Sequence, residues 1–543
     1  MRKQSFLRGA MVLTVAGFIS KVLGAIYLVP LTRLIGAEGV GLYQMAYPVY
    51  GTMLVISVSG LPVAISKLVA ERIAHGDPRG AARVFRIATV ILIAVGAVLS
   101  YSLFAGARFL ATRVLGDPRS YYSIRAISPA IVLVAAMSAL RGYFQGLQTM
   151  TPTATSQIIE QVVRVITALL LAYMLLPGGV EFSAAGSAFG AVTGALAGLV
   201  LLLGIYFKER APGALVGTAR TIPGPGPGDD VPALSILREI MALALPVTIA
   251  SLVVPLTDLT NAAIVPARLK VAGFDIPEAT RLYGQFAVMA MSLVGLPTVI
   301  TTAFATSLVP SISAAWATGN RRLVSERIQE AIRLTILIGV PSFVGLRILA
   351  RQICGMLFAC PEAGEPLAIL SIGALFLCVQ QTSSGILQGL GWTLVPVRSL
   401  LIGATVGASL NFMFTAVPGL GIRGAALGTA LGFMTAGILN FAGVWIFDRA
   451  RVGASAARAA FKSGLAALVM GAIVKVFYNK LVQATFSNSL ATIAAIFAGA
   501  LVYGAIIVLM GELTPRELRL IPVIGPGLAR LAGTVHGGYI QRK

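Results

Sequence analysis

The sequence predicts an all-α polytopic membrane protein of about 14 transmembrane helices, arranged as two parallel-repeat six-helix lobes plus two C-terminal helices. Three observations lead there. Charged residues make up 11% of the 543-residue chain and apolar ones 57%, where a soluble domain carries about 25% charged residues. Apolar runs of bilayer-crossing length recur along the chain. Short motifs in the first half return in the same order in the second.

The runs are 9–33, 39–65, 83–106, 122–146, 153–176, 183–207, 236–261, 280–309, 328–349, 365–390, 394–417, 422–447, 457–480 and 488–511. Their lengths predict helices, because a spanning strand needs only about 9–11 alternating residues. The first run follows Met1-Arg2-Lys3 and continues to Arg33. It is longer than the roughly 7–15 apolar residues of a secretion signal, so a retained first helix is expected.

Val29-Pro30-Leu31-Thr32 recurs as Val254-Pro255-Leu256-Thr257, and Gly60-Leu61-Pro62 as Gly295-Leu296-Pro297. Gln145-Gly146-Leu147 recurs as Gln388-Gly389-Leu390. The glycine series Gly186, Gly190, Gly194, Gly198 is answered by Gly424, Gly428, Gly432. Each motif moves by six helices, an even number that preserves orientation, so the repeats are parallel and a substrate site is expected at their interface. The four-residue glycine spacing puts small residues on one face, a packing device. The expected organisation is an N-terminal lobe at 1–208, a Pro/Gly linker at 209–234, a C-terminal lobe at 235–450, two further helices in 451–511 and a tail at 512–543. Pro223-Gly224-Pro225-Gly226-Pro227-Gly228 cannot continue a helix, which marks the linker.

The net charge of +22 is read as cytoplasmic-loop bias and contact with anionic membrane lipids, with no nucleic acid partner. With the N-terminus inside, the inner loops and tails hold 27 Lys and Arg, the outer loops 13, and Lys21 and Arg164 fall within spans. Both termini are therefore expected in the cytoplasm. The outer group Arg108, Arg113, Arg119 and Arg125 dissents and is read as an external surface for an anionic headgroup.

Charges inside spans mark pathways because each costs about 2.5–3.5 kcal/mol at a helix centre. Lys21 lies mid-helix, where it either lines a cavity or snorkels to the interface. Gln157, Glu160, Gln161 and Arg164 stand at i, i+3, i+4 and i+7 and form one polar stripe. Glu160 and Arg164 are spaced for an ion pair, which serves either mutual neutralisation or a site. Arg33 follows the first Val-Pro-Leu-Thr and Asp258 the second. With Asn261 they are gate or coupling candidates, and interfacial solvation or helix-to-helix hydrogen bonding is the plainer role. Tyr43, Tyr47 and Tyr50 form a stripe read as an interfacial aromatic belt, with stacking on a sugar as the alternative. Cys354, Cys360 and Cys378 are packing residues, and His75 and His536 lie outside the apolar runs. No metal site, catalytic residue or cofactor is expected.

Lys3-Gln4-Ser5-Phe6-Leu7-Arg8-Gly9, Ser20-Lys21-Val22-Leu23-Gly24, Gly39-Val40-Gly41-Leu42-Tyr43, the string from Leu61 to Glu71, and Gly295-Leu296-Pro297 through Ser307-Leu308-Val309-Pro310 resemble one family. It is the stage V sporulation protein B branch of the multidrug/oligosaccharidyl-lipid/polysaccharide (MOP) exporter superfamily, related to MurJ-type lipid II flippases. The resemblance implies a bacterial plasma-membrane transporter that moves an undecaprenyl-pyrophosphate-linked sugar outward by alternating access. It implies pyrophosphate binding for Lys21. Tyr27-Leu28 stands where the MurJ pattern has an Arg-Asp pair, and Ser292 near the place of a further Arg; Arg164 is then the candidate for the missing charge. Coupling to an ion gradient or the membrane potential and a monomeric state complete the expectation. The alternatives are a cation-coupled multidrug exporter using Glu160 or Asp258, and a non-transporting cell-wall scaffold. Cysteines placed along 208–238 should react only with reagent that reaches the cytoplasm, and labelling from outside would refute the parallel two-lobe topology.

Overall fold

Every backbone polar group that crosses a bilayer must find its partner within the protein, and in a chain of long apolar runs the α-helix satisfies that locally. The computed structural model describes residues 6–210, 232–447 and 449–512, which hold helices and no strand. In order these are α1 (Phe6–Ile26), α2 (Leu28–Val58), α3 (Leu61–Ala74), α4 (Pro78–Phe109), α5 (Ser120–Ile127), α6 (Ala130–Gly146), α7 (Thr151–Leu175), α8 (Val180–Arg210), α9 (Ala233–Ser251) and α10 (Val253–Val271). There follow α11 (Ile276–Gly284), α12 (Met291–Ala317), α13 (Arg321–Ile348), α14 (Ala350–Phe358), α15 (Gly364–Gly389), α16 (Leu394–Phe414), α17 (Ile422–Phe447), α18 (Arg449–Thr485) and α19 (Asn488–Leu509). The expected linker falls largely in 211–231 and the tail in 513–543, outside the described residues.

Among the described residues twelve stretches are long and apolar enough to cross a membrane, and thirteen if the bent pair α9–α10 is one crossing. One of the twelve, Met11–Ala74, is 64 residues long, about 96 Å at 1.5 Å per residue and far beyond a hydrocarbon core of about 30 Å. It breaks at Gly36, whose φ of 69° and ψ of 179° lie outside the helical region. A loop over 34–38 was expected between the first two runs; the chain turns on this single glycine instead.

The Val-Pro-Leu-Thr repeat has a structural counterpart. Proline lacks the N–H that would bond the carbonyl four residues earlier. Pro30 and Pro255 therefore free the carbonyls of Ile26 and Ser251, where α1 and α9 end. The second break bends its helix pair by 47°.

Two compact units divide the chain, residues 1–288 and 289–543. In the first, α7 packs against α8 and α1, α6 against α3, α4 and α8, and α11 against α2. Residues 233–288, which the repeat numbers with the second lobe, pack here on α2 and α3. In the second unit, α15 is flanked by α12, α13 and α17, α16 lies on α17, and α18 joins α13 to α19.

The glycine series of α8 is the face that α7 lies on. A Cβ on Gly194 would sit 2.6 Å from the Glu160 carbonyl oxygen and 2.9 Å from Arg164 Cβ, and one on Gly190 2.9 Å from the Arg164 carbonyl oxygen. Gly428 and Gly432 of α17 meet Asn411, Gly403 and Gly407 of α16 in the same way. Gly194→Ala should cost about 1–3 kcal/mol by overpacking. Gly204→Ala, at a position with open space around it, should leave thermal unfolding in detergent unchanged; equal melting of the two variants would remove the packing role of this face.

Candidate functional site: a carboxylate between two arginines

The charged side chains of α7 spring from the backbone that the glycines of α8 pack on: a Cβ on Gly194 would lie 2.9 Å from Arg164 Cβ and one on Gly198 3.4 Å from Glu160 Cβ. One carboxylate oxygen of Glu160 accepts from Arg164 Nη2 at 2.8 Å, one turn along the same helix. The other accepts from Arg141 Nη2 of α6 at 2.9 Å. Arg141 Nε donates to Ser156 Oγ at 2.9 Å, which fixes the guanidinium plane. The side chains are 14% exposed for Glu160 and Arg141 and 20% for Arg164. Two guanidiniums against one carboxylate leave the cluster one positive charge in excess. Arg164 Nε and Gln157 Oε1 are buried without a hydrogen-bond partner, so one donor and one acceptor remain unused.

Helix α1 covers one side of the stripe. Ser20 Oγ donates to the Gln157 carbonyl at 3.4 Å, and the position a Cβ would take on Gly24 lies 3.3 Å from Gln161 Nε2. Lys21 follows Ser20 on the same helix, exposed, with no ion pair among the described residues. Lys21, Gln157, Glu160, Gln161 and Arg164 thus all lie on the adjoining helices α1 and α7.

The tyrosine stripe differs from expectation. Tyr43 and Tyr50 are 3% and 4% exposed, so they line the interior and form no outward belt. The hydroxyls of Tyr27 and Tyr43 meet. The rings of Tyr43 and Tyr47 are 4.6 Å apart and those of Tyr47 and Tyr50 5.9 Å. Tyr43, Tyr47 and Tyr50 are within electrostatic range of Arg164. Their hydroxyl dipoles and the cation account for a stripe that faces inward.

Arg33 and Asp258 are exposed and Asn261 half-buried; no ion pair joins Arg33 to Asp258 among the described residues. Arg141 is the site residue that sequence reasoning missed. It stands near the end of its apolar run and was counted with the adjoining loop; the readable signal was a cation followed by Gly142, whose Cβ would fall 2.9 Å from the Pro62 carbonyl oxygen. That close approach holds α6 against α3.

A second polar cluster ties α2 to α11. Asp117, 1% exposed, accepts from the Arg119 backbone N–H at 3.0 Å, from Arg119 Nε at 3.1 Å and Nη2 at 2.8 Å, and from Thr280 Oγ1 at 2.7 Å. Arg119 Nη1 donates to Glu38, and Lys270 Nζ to the Gly116 carbonyl at 3.0 Å. The hydrogen bond to Asp117, with that to Glu38, pushes the Arg119 guanidinium above the usual arginine range against the effect of burial. Beside this cluster a Cβ on Gly41 would lie 2.2 Å from the Thr280 carbonyl oxygen, and one on Gly284 2.0 Å from that of Ala37. The expectation that Arg119 offers a headgroup surface is therefore corrected: it is spent on an internal lock. Arg125 lies 4.2 Å over the Phe104 ring and donates to Tyr121. At the other end of α2, the Gly60 N–H donates to Thr248 Oγ1 at 3.2 Å, and a Cβ on Gly60 would fall 2.1 Å from the Ala244 carbonyl oxygen.

Glu160→Gln should destabilise more than Arg164→Gln, by about 2–3 kcal/mol. The first leaves two guanidiniums facing each other, whereas the second keeps the Glu160–Arg141 pair; the partial exposure holds the cost under the ~3–5 kcal/mol of a fully buried pair. Double-mutant cycles by thermal unfolding should show coupling of Glu160 to both arginines, and strict additivity would mean that the three do not act as one cluster.

The family model for polysaccharide biosynthesis protein matches residues 6–316, and that for MatE residues 285–413. Stage V sporulation protein B of Bacillus subtilis (strain 168) is 30% identical over 525 residues, 97% of this chain and 99% of that protein. Lipid II flippase MurJ of the same organism is 30% identical over 456 residues, 80% of this chain and 81% of that one. Among solved structures, lipid II flippase MurJ in an inward closed conformation superposes with a TM-score of 0.65 at 15% identity, covering 92% of this chain and 98% of that chain. An inward-facing multidrug resistance MATE family transporter gives 0.63 at 16%, covering 82% and 98%. The two structures share the fold with this chain, and the sequence matches carry the kinship: the chain belongs to the polysaccharide biosynthesis protein family, within the MOP superfamily of membrane exporters.

Proposed function

We propose that the chain is an alternating-access flippase that carries an undecaprenyl-pyrophosphate-linked peptidoglycan precursor, lipid II or a related lipid-linked sugar, from the inner to the outer leaflet of a bacterial plasma membrane. The observation that carries this reading is the net-positive Arg141–Glu160–Arg164 cluster, half-buried between helices, with Lys21 on the adjoining helix α1. A polyprenyl pyrophosphate brings two linked phosphates, and guanidiniums bind phosphate oxygens bidentately. Arg164 and Lys21 would hold the pyrophosphate, with Gln157 and Gln161 donating amide hydrogens to it. Arg33, Asp258 and Asn261 remain gate or coupling candidates. Translocation breaks no covalent bond, so these residues bind and release without catalytic chemistry.

In this reading the 64-residue stretch counts as two crossings, which makes fourteen with α9–α10 as one. Both termini face the cytoplasm, as the basic bias of the loops favours. The lobes rock about the substrate as a monomer, driven by an ion gradient or the membrane potential. The excess positive charge of the cluster disfavours a cationic drug as cargo.

In cells depleted of a MurJ-type flippase, expression of this chain should restore lipid II to the outer leaflet, read by surface labelling. Lys21→Ala should lose at least tenfold in that readout at equal membrane abundance, a single charge-assisted phosphate contact being worth about 1.5–3 kcal/mol, and Lys21→Arg should retain part of it. Full activity of Lys21→Ala would return Lys21 to a snorkelling role. Failure of the unmutated chain, together with energised export of a cationic dye, would shift the function to drug export.

A further inference from the structure

The two arginines that share Glu160 are held very differently. Arg141 is fixed at two points of its guanidinium: Nε donates to Ser156 Oγ at 2.9 Å and Nη2 to Glu160 at 2.9 Å. The Ser156 hydroxyl spends its own hydrogen on the Thr153 carbonyl at 2.7 Å, so toward Arg141 it can only accept. Next to Arg141 the bare Gly142 presses α6 onto the Pro62 carbonyl of α3. The side chain of Arg164 has one hydrogen-bonded partner among the described residues, Glu160 at 2.8 Å. Its Nε is buried and unused, and at 20% against 14% it is the more exposed of the two.

Glu160 stands between a fixed cation and a movable one. It shares α7 with Arg164, so the two part by side-chain torsion alone, with no helix displaced. An anion that took Arg164 would leave Glu160 on Arg141, and every charge of the cluster would still have a partner. An anion that took Arg141 would have to break the bond that joins α6 to α7 and turn a guanidinium whose plane Ser156 sets. The first exchange strands no charge in low dielectric, where an uncompensated ion costs about 3–5 kcal/mol.

Resting on the lipid-pyrophosphate reading above, we propose that Glu160 is an internal stand-in for the substrate anion. It holds Arg164 while the site is empty, yields Arg164 to a phosphate oxygen on binding, and retakes it on release. Arg141, oriented by Ser156, keeps the carboxylate in place during the exchange. Arg141 is thus a positioning residue that acts through Glu160 and does not touch the substrate. The swap puts one anion in place of another on the same guanidinium, so Arg164 stays paired throughout. A carrier must also let go of its cargo, and a carboxylate tethered one turn away competes for the cation at every moment of the bound state.

The test measures equilibrium binding of radiolabelled undecaprenyl pyrophosphate to the full-length protein in detergent, and its release into excess unlabelled lipid. Glu160→Gln should bind about tenfold tighter, the worth of one charge-assisted contact that no longer has to be given up, with the gain seen as slower release. Arg141→Gln should bind about tenfold more weakly, because Glu160 then keeps Arg164 to itself, and Arg141→Lys should restore most of the affinity. In the Glu160→Gln background, Arg141→Gln should change binding by less than about twofold, since no carboxylate is left to position. An equal loss from Arg141→Gln in both backgrounds would show that binding follows net charge alone and would overturn the exchange. So would a Glu160→Gln variant that binds no tighter than the unmutated chain. If Glu160→Gln does not fold, undiminished binding by Arg141→Gln overturns the exchange by itself, and weakened binding that Arg141→Lys restores supports it. No binding by the unmutated chain would remove the lipid-pyrophosphate reading and the exchange with it, an outcome distinct from binding with the wrong order of variants.

Discussion

A guanidinium surrounded by helices in a membrane needs an anion, and a carboxylate there needs more than one donor, because removing either from water costs several kcal/mol per ion. Glu160 meets both demands at once, with one oxygen for Arg164 and one for Arg141. Two helices, α6 and α7, are joined by that carboxylate. Its position depends in turn on the bare backbone of α8, since Gly194 lies against the very residues that carry the ions. A side chain at Gly194 would push α7 away and change where both charges point. The glycine spacing is thus a packing feature whose consequence is electrostatic.

Much of this was legible in the sequence for identifiable reasons. The stripe from Gln157 to Arg164 could be read because helical periodicity puts its members on one face. The Glu160–Arg164 pair could be read because an i,i+4 contact is set by the helix alone. The breaks at Ile26 and Ser251 were not read, since 9–33 and 236–261 are unbroken runs of apolar sequence; the missing N–H of Pro30 and Pro255 explains them. Arg141 could not be read in this way, since no local rule connects α6 to α7; the partnership exists only once Gly142 has brought α6 against Pro62. The tyrosine stripe was read as a belt because amphipathic rings favour interfaces. Whether a helical face looks outward or inward is decided by its neighbours, and here the Tyr27 hydroxyl and the Arg164 cation are on the inner side.

The same limit explains Arg119. Counting basic residues in loops treats each as solvated, and the count breaks down where a buried carboxylate lies two residues away. Asp117 is almost fully buried and accepts four hydrogen bonds, three from Arg119 and one from Thr280. A carboxylate so satisfied fixes the loop that carries it. The cation in question is therefore part of the internal framework, and it ought to be subtracted from any estimate of surface potential made from sequence.

On the function proposed above, the two ends of α2 matter for direction. From Gly41 to Gly60 the helix rises about 28 Å, so the contacts with α11 and α9 lie roughly one hydrocarbon thickness apart. They are unequal. The Gly60 end has one carbonyl-to-glycine approach, from Ala244, one hydrogen bond to Thr248 and a loose Arg72–Glu239 pair at 3.9 Å. The Gly41 end has two carbonyl-to-glycine approaches, the buried Asp117 network and the Lys270 bond to Gly116. Rocking that separates one end while the other holds takes the path of fewer broken polar contacts, since each buried group left unpaired costs about 1–3 kcal/mol. The Gly60 end is then the one that yields first. In the topology proposed above that end faces the cytoplasm, so the cluster around Glu160 would first meet its substrate from that side.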